Sequence, residues 1–265
     1  MRMELRTELV KSPSGHHGDD FTPYLDTFLL DGAKQPLGAV LVLPGGGYTH
    51  RAYHEGDPVA RKFNELGFHA FVLQYRVAPY VAPAPQEDAI RAVKLIRAHA
   101  QEWGIGKLAV LGFSAGAHLA ACSALRFEAD GEHNDDIDRI DARPDALVLC
   151  YPVIALSEPF GNRGSGTALV GGDDLKAMRR YDLHKLADEN TPPTFIWHTA
   201  DDAAVPVRNS VCFAEAMWQC GNTCELHVFP HGPHGRGLGY GFRDISQWPV
   251  LAAEFLAASA GFVRA

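Results

Sequence analysis

One serine-centred and one glycine-rich stretch of this chain, together with two later loops, carry the groups that acyl transfer requires. Gly112-Phe113-Ser114-Ala115-Gly116 directly follows the apolar run 108–111 and directly precedes a helical stretch beginning at Ala117. At such a strand-to-helix turn, flanking residues without side chains let the backbone fold tightly enough to expose the serine Oγ. The helix that follows points its N-terminal amides toward the reacting carbonyl. Pro44-Gly45-Gly46-Gly47-Tyr48 follows the apolar run 39–43, where a second loop of oxyanion donors belongs. The amides of Gly46, Gly47 and Ala115 are the candidate donors. A phosphate-cradling loop would end in Lys-Ser/Thr or open a helix with G-x-G-x-x-G, and neither is present.

A serine hydroxyl is a poor nucleophile until an imidazole takes its proton, and that imidazole needs a carboxylate to orient it. Both lie downstream in the expected chain order. Asp201-Asp202-Ala203-Ala204-Val205-Pro206 follows the run 194–199, and His231-Gly232-Pro233-His234-Gly235 follows the run 225–229. Adjacent aspartates cannot both face one imidazole, so Asp202 is taken as the acid and Asp201 as a turn or solvated residue. His234, followed directly by glycine and deeper in its loop, is taken as the base. His231 is then a loop or substrate-side residue. The chain has 13 histidines, among them His16 and His17 beside Asp19 and Asp20, yet none shows the i, i+4 helical pairing with glutamate of zinc hydrolases. No metal or cofactor is expected.

Parallel strands covered by helices on both faces would position these loops. Apolar runs at 39–43, 68–75, 107–113, 146–151, 194–199 and 225–229 alternate with stretches of helical periodicity at 57–66, 86–103, 115–126, 207–219 and 245–260. Nearly continuous apolar strands argue for a mostly parallel α/β sheet, with 5–10 and 25–30 as antiparallel edge strands. Each candidate motif then falls just past the C-terminal end of a strand, where open parallel sheets bind ligands. Residues 152–193 hold no confident strand. They include Gly161-Asn162-Arg163-Gly164-Ser165-Gly166 and a short helix over 173–180, and are read as a small insertion after the sixth strand that caps or walls a pocket. The whole of 1–265 is read as one domain.

Composition bounds the remaining choices. The 265 residues are 46% hydrophobic with a formal charge of −8, which repels a polyphosphate backbone and makes nucleic acid an unexpected partner. The charged N-terminus lacks an apolar stretch suited to a signal peptide or membrane span, so a cytoplasmic protein without a membrane partner is expected. The five cysteines form a sparse, odd set typical of reduced core thiols.

With these pieces assembled, the chain resembles the α/β-hydrolase superfamily over about residues 39–234. Within it, the chain is similar to the esterase/lipase-like group related to acetyl-xylan esterases and hormone-sensitive-lipase-type enzymes. The matching pieces are the Pro44 to Tyr48 loop, Val72-Leu-Gln-Tyr-Arg76, Pro83-Ala-Pro-Gln-Glu-Asp88, Gly112-Phe-Ser-Ala-Gly-Ala-His118, Asp202-Ala-Ala-Val-Pro206 and His234-Gly235. The resemblance supports Asp202 as the acid and His234 as the base. Pro44 stands where lipase-type relatives often carry histidine, which implies a small acyl group on a sugar rather than a long lipid chain. Tyr75 and Arg76 are left out of the site, because Arg76 is as well explained as a partner of Asp88 or Glu87.

The expected reaction is ester hydrolysis through an acyl-enzyme on Ser114, with a small-molecule ester such as an acetylated oligosaccharide as substrate. Homo-oligomerisation is left open. An amide hydrolase of the same fold is the rival within enzymes, and a binding protein that has lost its chemistry is the rival outside them.

Overall fold

A computed structural model describes residues 2–5, 21–125 and 135–265. Eight strands form one sheet: β1 (Arg2–Glu4), β2 (Tyr24–Phe28), β3 (Leu37–Leu43), β4 (His69–Gln74), β5 (Ile105–Phe113), β6 (Ala146–Cys150), β7 (Thr194–Thr199) and β8 (Cys224–Phe229). Their spatial order is β1-β2-β4-β3-β5-β6-β7-β8. From β4 through β8 every pairing is parallel, whereas β1 with β2 and β2 with β4 are antiparallel. The chain winds outward in one direction through β4 and in the other through β5, which leaves a crevice at the C-terminal ends of β3 and β5.

Eight helices accompany the strands among the described residues: α1 (Asp57–Glu65), α2 (Ala84–Ala98), α3 (Ala100–Trp103), α4 (Ala115–Ala124), α5 (Arg163–Val170), α6 (Leu175–Met178), α7 (Arg208–Gln219) and α8 (Trp248–Ala258). Alternating residues of the strands feed two cores. Leu41 and Leu43 of β3 join α2, α4 and α7 on one face, while Val40 and Val42 join α1 and α8 on the other. A strand buried on both sides has no place for a polar residue, which is why β3 reads Leu-Gly-Ala-Val-Leu-Val-Leu without alternation. Each such buried Val or Leu side chain contributes about 1.5–3 kcal/mol.

Two expectations need correction, the bounds of the first edge strand and the extent of the helix over 173–180. The first edge strand covers residues 2–4 rather than 5–10: Leu5 is a buried bend residue whose amide bonds to Pro23 O at 3.0 Å, and 6–10 lie outside the described residues, as do His16, His17 and position 126. The glycine-rich run at 161–166 is a helix start. Asn162 Oδ1 accepts the Ser165 amide at 2.9 Å and caps α5, and Gly166 packs where a Cβ would lie 2.8 Å from Met178 Sδ. The helix expected over 173–180 is the single turn α6, capped by Asp174 and followed by a 3-10 turn.

Candidate active site

Ser114 occupies the turn between β5 and α4 with φ 52° and ψ −117°, a left-handed conformation that a side-chain-bearing residue adopts only under constraint. The constraint comes from its flanks. A Cβ on Gly112 would lie 2.2 Å from Gly116 O, and one on Gly116 would lie 2.2 Å from Leu43 O and 2.4 Å from Pro44 O. Only glycines allow α4 to start this close to β5 and to the end of β3.

The Ser114 hydroxyl donates to His234 Nε2 at 2.8 Å, and His234 Nδ1–H donates to Asp202 Oδ2 at 2.6 Å. Three separate loops, after β5, β7 and β8, thus bring together the three residues singled out in the sequence. Ser114 keeps 8% of its surface exposed, whereas the Asp202 side chain is fully buried. Burial works to raise the Asp202 carboxyl, but hydrogen bonds from the His198 and His234 imidazoles and the Val205 amide outweigh it and hold the group well below the usual carboxylate range. The other oxygen, Oδ1, accepts the Ala204 and Val205 amides, each at 2.9 Å.

Asp201 and His231 form a pair of their own. His231 Nδ1 lies 3.0 Å from Asp201 Oδ2, and Asp201 Oδ1 accepts the Gly232 amide at 2.8 Å, tying the acid's loop to the histidine's loop on the surface. Arg76 lies outside the site as a buried partner of Asp88, at 2.7 Å, and of Glu87, at 3.0 Å.

Opposite the serine, Gly46 and Gly47 take φ values of 127° and 63°, and among the described residues neither amide has a protein acceptor. The amide of Ala115, at the first turn of α4, is likewise left over by the helix. The loop bearing the glycines is pinned at three points. Tyr75 Oη–H donates to Pro44 O at 2.6 Å, the Gly45 amide donates to Glu55 Oε2 at 2.7 Å, and Tyr48 Oη–H meets His118 Nδ1 at 2.8 Å. Burial lowers the His118 pKa to about 4, and its Nε2–H donates to Tyr181 O at 2.9 Å, which leaves Nδ1 as the acceptor.

Sequence reasoning passed over Glu55, Tyr151, His118 and His198. His118 was visible inside the serine motif, four residues after Ser114 on one helix face. His198 stands on β7, with Nε2 at 2.9 Å from Val205 O and Nδ1 at 2.7 Å from Ser210 Oγ. Nothing in the local pattern marks Glu55 or Tyr151. Among the described residues no group of three or more His, Cys, Asp and Glu is placed to hold a metal ion, and all five cysteines are free thiols. No helix among them is long and apolar enough to cross a membrane.

A parallel sheet with a serine elbow, a glycine loop beside it and a histidine-carboxylate pair beyond it defines an α/β-hydrolase. Within that class the chain belongs to the BD-FAE family, whose model matches residues 25–217. A crystal structure of an acetyl ester-xyloside bifunctional hydrolase from Caldicellulosiruptor lactoaceticus is 41% identical, with a TM-score of 0.91 over 99% of this chain and 97% of that one. An endo-1,4-beta-xylanase B of Butyrivibrio fibrisolvens is 37% identical over 81% of this chain, and an acetylxylan esterase of Xylanibacter ruminicola is 28% identical over 94%. The chain spans 35% and 52% of the lengths of those two curated relatives.

Proposed function

We propose that this protein is a serine carboxylesterase that removes acetyl and other small acyl groups from sugars through an acyl-enzyme. The observation that carries the reading is the continuous Ser114–His234–Asp202 hydrogen-bond chain, at 2.8 and 2.6 Å, beside two glycine amides without acceptors among the described residues.

Ser114 Oγ attacks the ester carbonyl while His234 Nε2 accepts its proton, and Asp202 keeps the proton on Nδ1 in the ground state and stabilises the imidazolium that forms. The amides of Gly46, Gly47 and Ala115 hold the negative oxygen of the tetrahedral intermediate. His234 then protonates the departing sugar oxygen, and water, deprotonated by the same imidazole, releases the acid. Residues 152–193 act as a wall of the acyl and sugar pocket: Ser165 Oγ stands 3.8 Å from the position of a Cβ on Gly47. The sugar preference draws support from the acetyl-xyloside and acetylxylan names of the relatives.

Intact-mass labelling with a fluorophosphonate, on wild type and Ser114→Ala, tests the nucleophile. Hydrolysis of p-nitrophenyl esters of increasing chain length and of an acetylated xylo-oligosaccharide tests the substrate. Serine-dependent labelling with a preference for acetyl and release of acetate from the sugar is expected. Labelling without ester turnover points to an amide substrate, and absence of labelling removes the serine mechanism.

A further inference from the structure

Glu55 is a carboxylate buried to 2% exposure in a 3-10 turn between β3 and α1, and among the described residues no lysine or arginine pairs with it. Its nearest basic group is His54 Nε2, at 3.7 Å and largely exposed. A buried carboxylate without a strong cation is costly unless its oxygens are well hydrogen-bonded, and an apolar side chain would fill such a space at less cost. Both oxygens of Glu55 are engaged, and by groups on opposite sides of the candidate site. Oε2 accepts the amide of Gly45, the residue before the two proposed oxyanion donors, at 2.7 Å. Oε1 accepts Tyr151 Oη–H at 2.6 Å.

Tyr151 extends this link to the histidine. Its ring meets the His234 ring edge-on with centroids 4.9 Å apart, and its hydroxyl accepts the Gly237 amide at 2.9 Å, three residues past His234. Its φ of 36° is a left-handed conformation that a tyrosine holds only where its surroundings over-determine it. The neighbouring His54 adds a second tie, with Nε2 at 2.9 Å from Gly235 O. On the other side, Gly45 has no room for a side chain, since a Cβ would lie 2.7 Å from Glu55 Oε2. The oxyanion loop and the histidine loop, about 190 residues apart in sequence by their numbering, therefore share one carboxylate as their common anchor.

We propose that Glu55 is a positioning residue that sets the oxyanion loop, through Gly45, and the His234 ring, through Tyr151, in one fixed relation. This rests on the esterase reading above. Glu55 touches no reacting atom. Its effect falls on the tetrahedral state, which needs donors and imidazole aligned at the same moment, and not on ground-state binding of the ester.

The test compares full-length wild type, Glu55→Ala, Glu55→Gln and Tyr151→Phe on p-nitrophenyl acetate, with phenylboronic acid as a tetrahedral-adduct probe. Glu55→Ala should lower kcat about 100-fold, the loss expected for a misplaced oxyanion donor, with KM within about threefold. Boronate affinity should fall alongside kcat. In Glu55→Gln the side-chain amide oxygen would still accept the Gly45 amide and the NH2 group would meet the Tyr151 oxygen, so this variant should recover to within about tenfold of wild type. Tyr151→Phe keeps the ring and removes only the link, and should lower kcat about tenfold. It decides the matter if Glu55→Ala does not fold. Unchanged kcat and boronate affinity in Tyr151→Phe, or in folded Glu55→Ala, overturns the proposal while leaving the esterase reading intact. A wild-type chain with no serine-dependent labelling or turnover overturns both.

Discussion

His198 Nε2 lies 3.3 Å from Asp202 Oδ2, the same oxygen that accepts His234 Nδ1–H at 2.6 Å. The proposed catalytic acid is thus flanked by two imidazoles. Val205 O and the Asp202 carboxylate both face His198 Nε2, so that nitrogen carries the hydrogen, and Nδ1 accepts from the Ser210 hydroxyl. His198→Phe leaves the Val205 carbonyl and the Ser210 hydroxyl buried without their partner, and should cost about 2–4 kcal/mol. Its loss of kcat should be far smaller than that of Asp202→Asn, for which the tautomer is lost and about 10⁴-fold is expected. Denaturant unfolding and turnover on the same preparations check both; an His198→Phe protein as stable as wild type contradicts the argument.

Ser114 carries backbone strain as well as the proposed chemistry. Ser114→Ala should abolish turnover, by roughly 10⁶-fold, while leaving the φ of 52° in place. Ser114→Gly should be equally inactive yet more stable than Ser114→Ala by about 1 kcal/mol, because glycine takes that conformation freely. This reverses the usual order of alanine and glycine, and melting temperatures of the two variants decide it.

Glycine positions at the elbow and away from it separate sharply. Gly116→Ala drives a methyl into Leu43 O and Pro44 O, so either the elbow or the proposed oxyanion loop must shift, with more than about 3 kcal/mol lost and activity gone. Gly172 meets nothing within 4 Å and should accept alanine within about 0.5 kcal/mol. Expression level, melting temperature and esterase rate of the pair measure the contrast.

His118 makes stability depend on pH. Burial lowers its folded pKa to about 4 from the ordinary 6.5, so between those values the unfolded chain takes up a proton that the folded chain refuses. Stability contributed by the neutral imidazole is therefore full above about pH 6.5 and lost progressively as pH falls toward 4, by about 3 kcal/mol in total. Asp202, lowered well below its ordinary value, adds a loss in the same direction at more acid pH, below the unfolded carboxylate value. Urea unfolding of wild type and His118→Gln at pH 7.5, 6.0 and 5.0 should show a flatter profile in the variant.

The strands, the helices over them and the glycine, serine, aspartate and histidine loops could be read from the chain because each is written locally. Apolar runs end where the loops begin, and the residue types needed are rare in that order. What could not be read depends on distant parts of the fold. Glu55 lies in a polar stretch and looks like a surface residue; only the arrival of Gly45 and of Tyr151 from the end of β6 turns it into a buried acceptor. His198 looks like one of several strand histidines until α7 brings Ser210 against it. The glycine-rich run 161–166 carries no helical periodicity of its own; Asn162 supplies a cap and the bare Gly166 face admits Met178, so α5 forms despite its composition.

The segment 152–193 is attached to the rest of the molecule by buried side chains that join the core, among them Val153, Ile154, Leu156, Leu169, Met178 and Leu183, and by main-chain groups that bond to side chains outside it. The Ile154 and Ala155 amides donate to Asn209 Oδ1, the Phe160 carbonyl accepts from Asn209 Nδ2, and the Tyr181 carbonyl accepts from His118. The side chains that specify these attachments belong to α4 and α7, outside the segment. The exposed side chains of 157–181 lie outside that core, so on the proposed reading shape selection can be varied there while the residues proposed to cleave the ester are left alone. A library restricted to the exposed positions of 157–181 is for that reason the most economical route from this scaffold to new ester specificities.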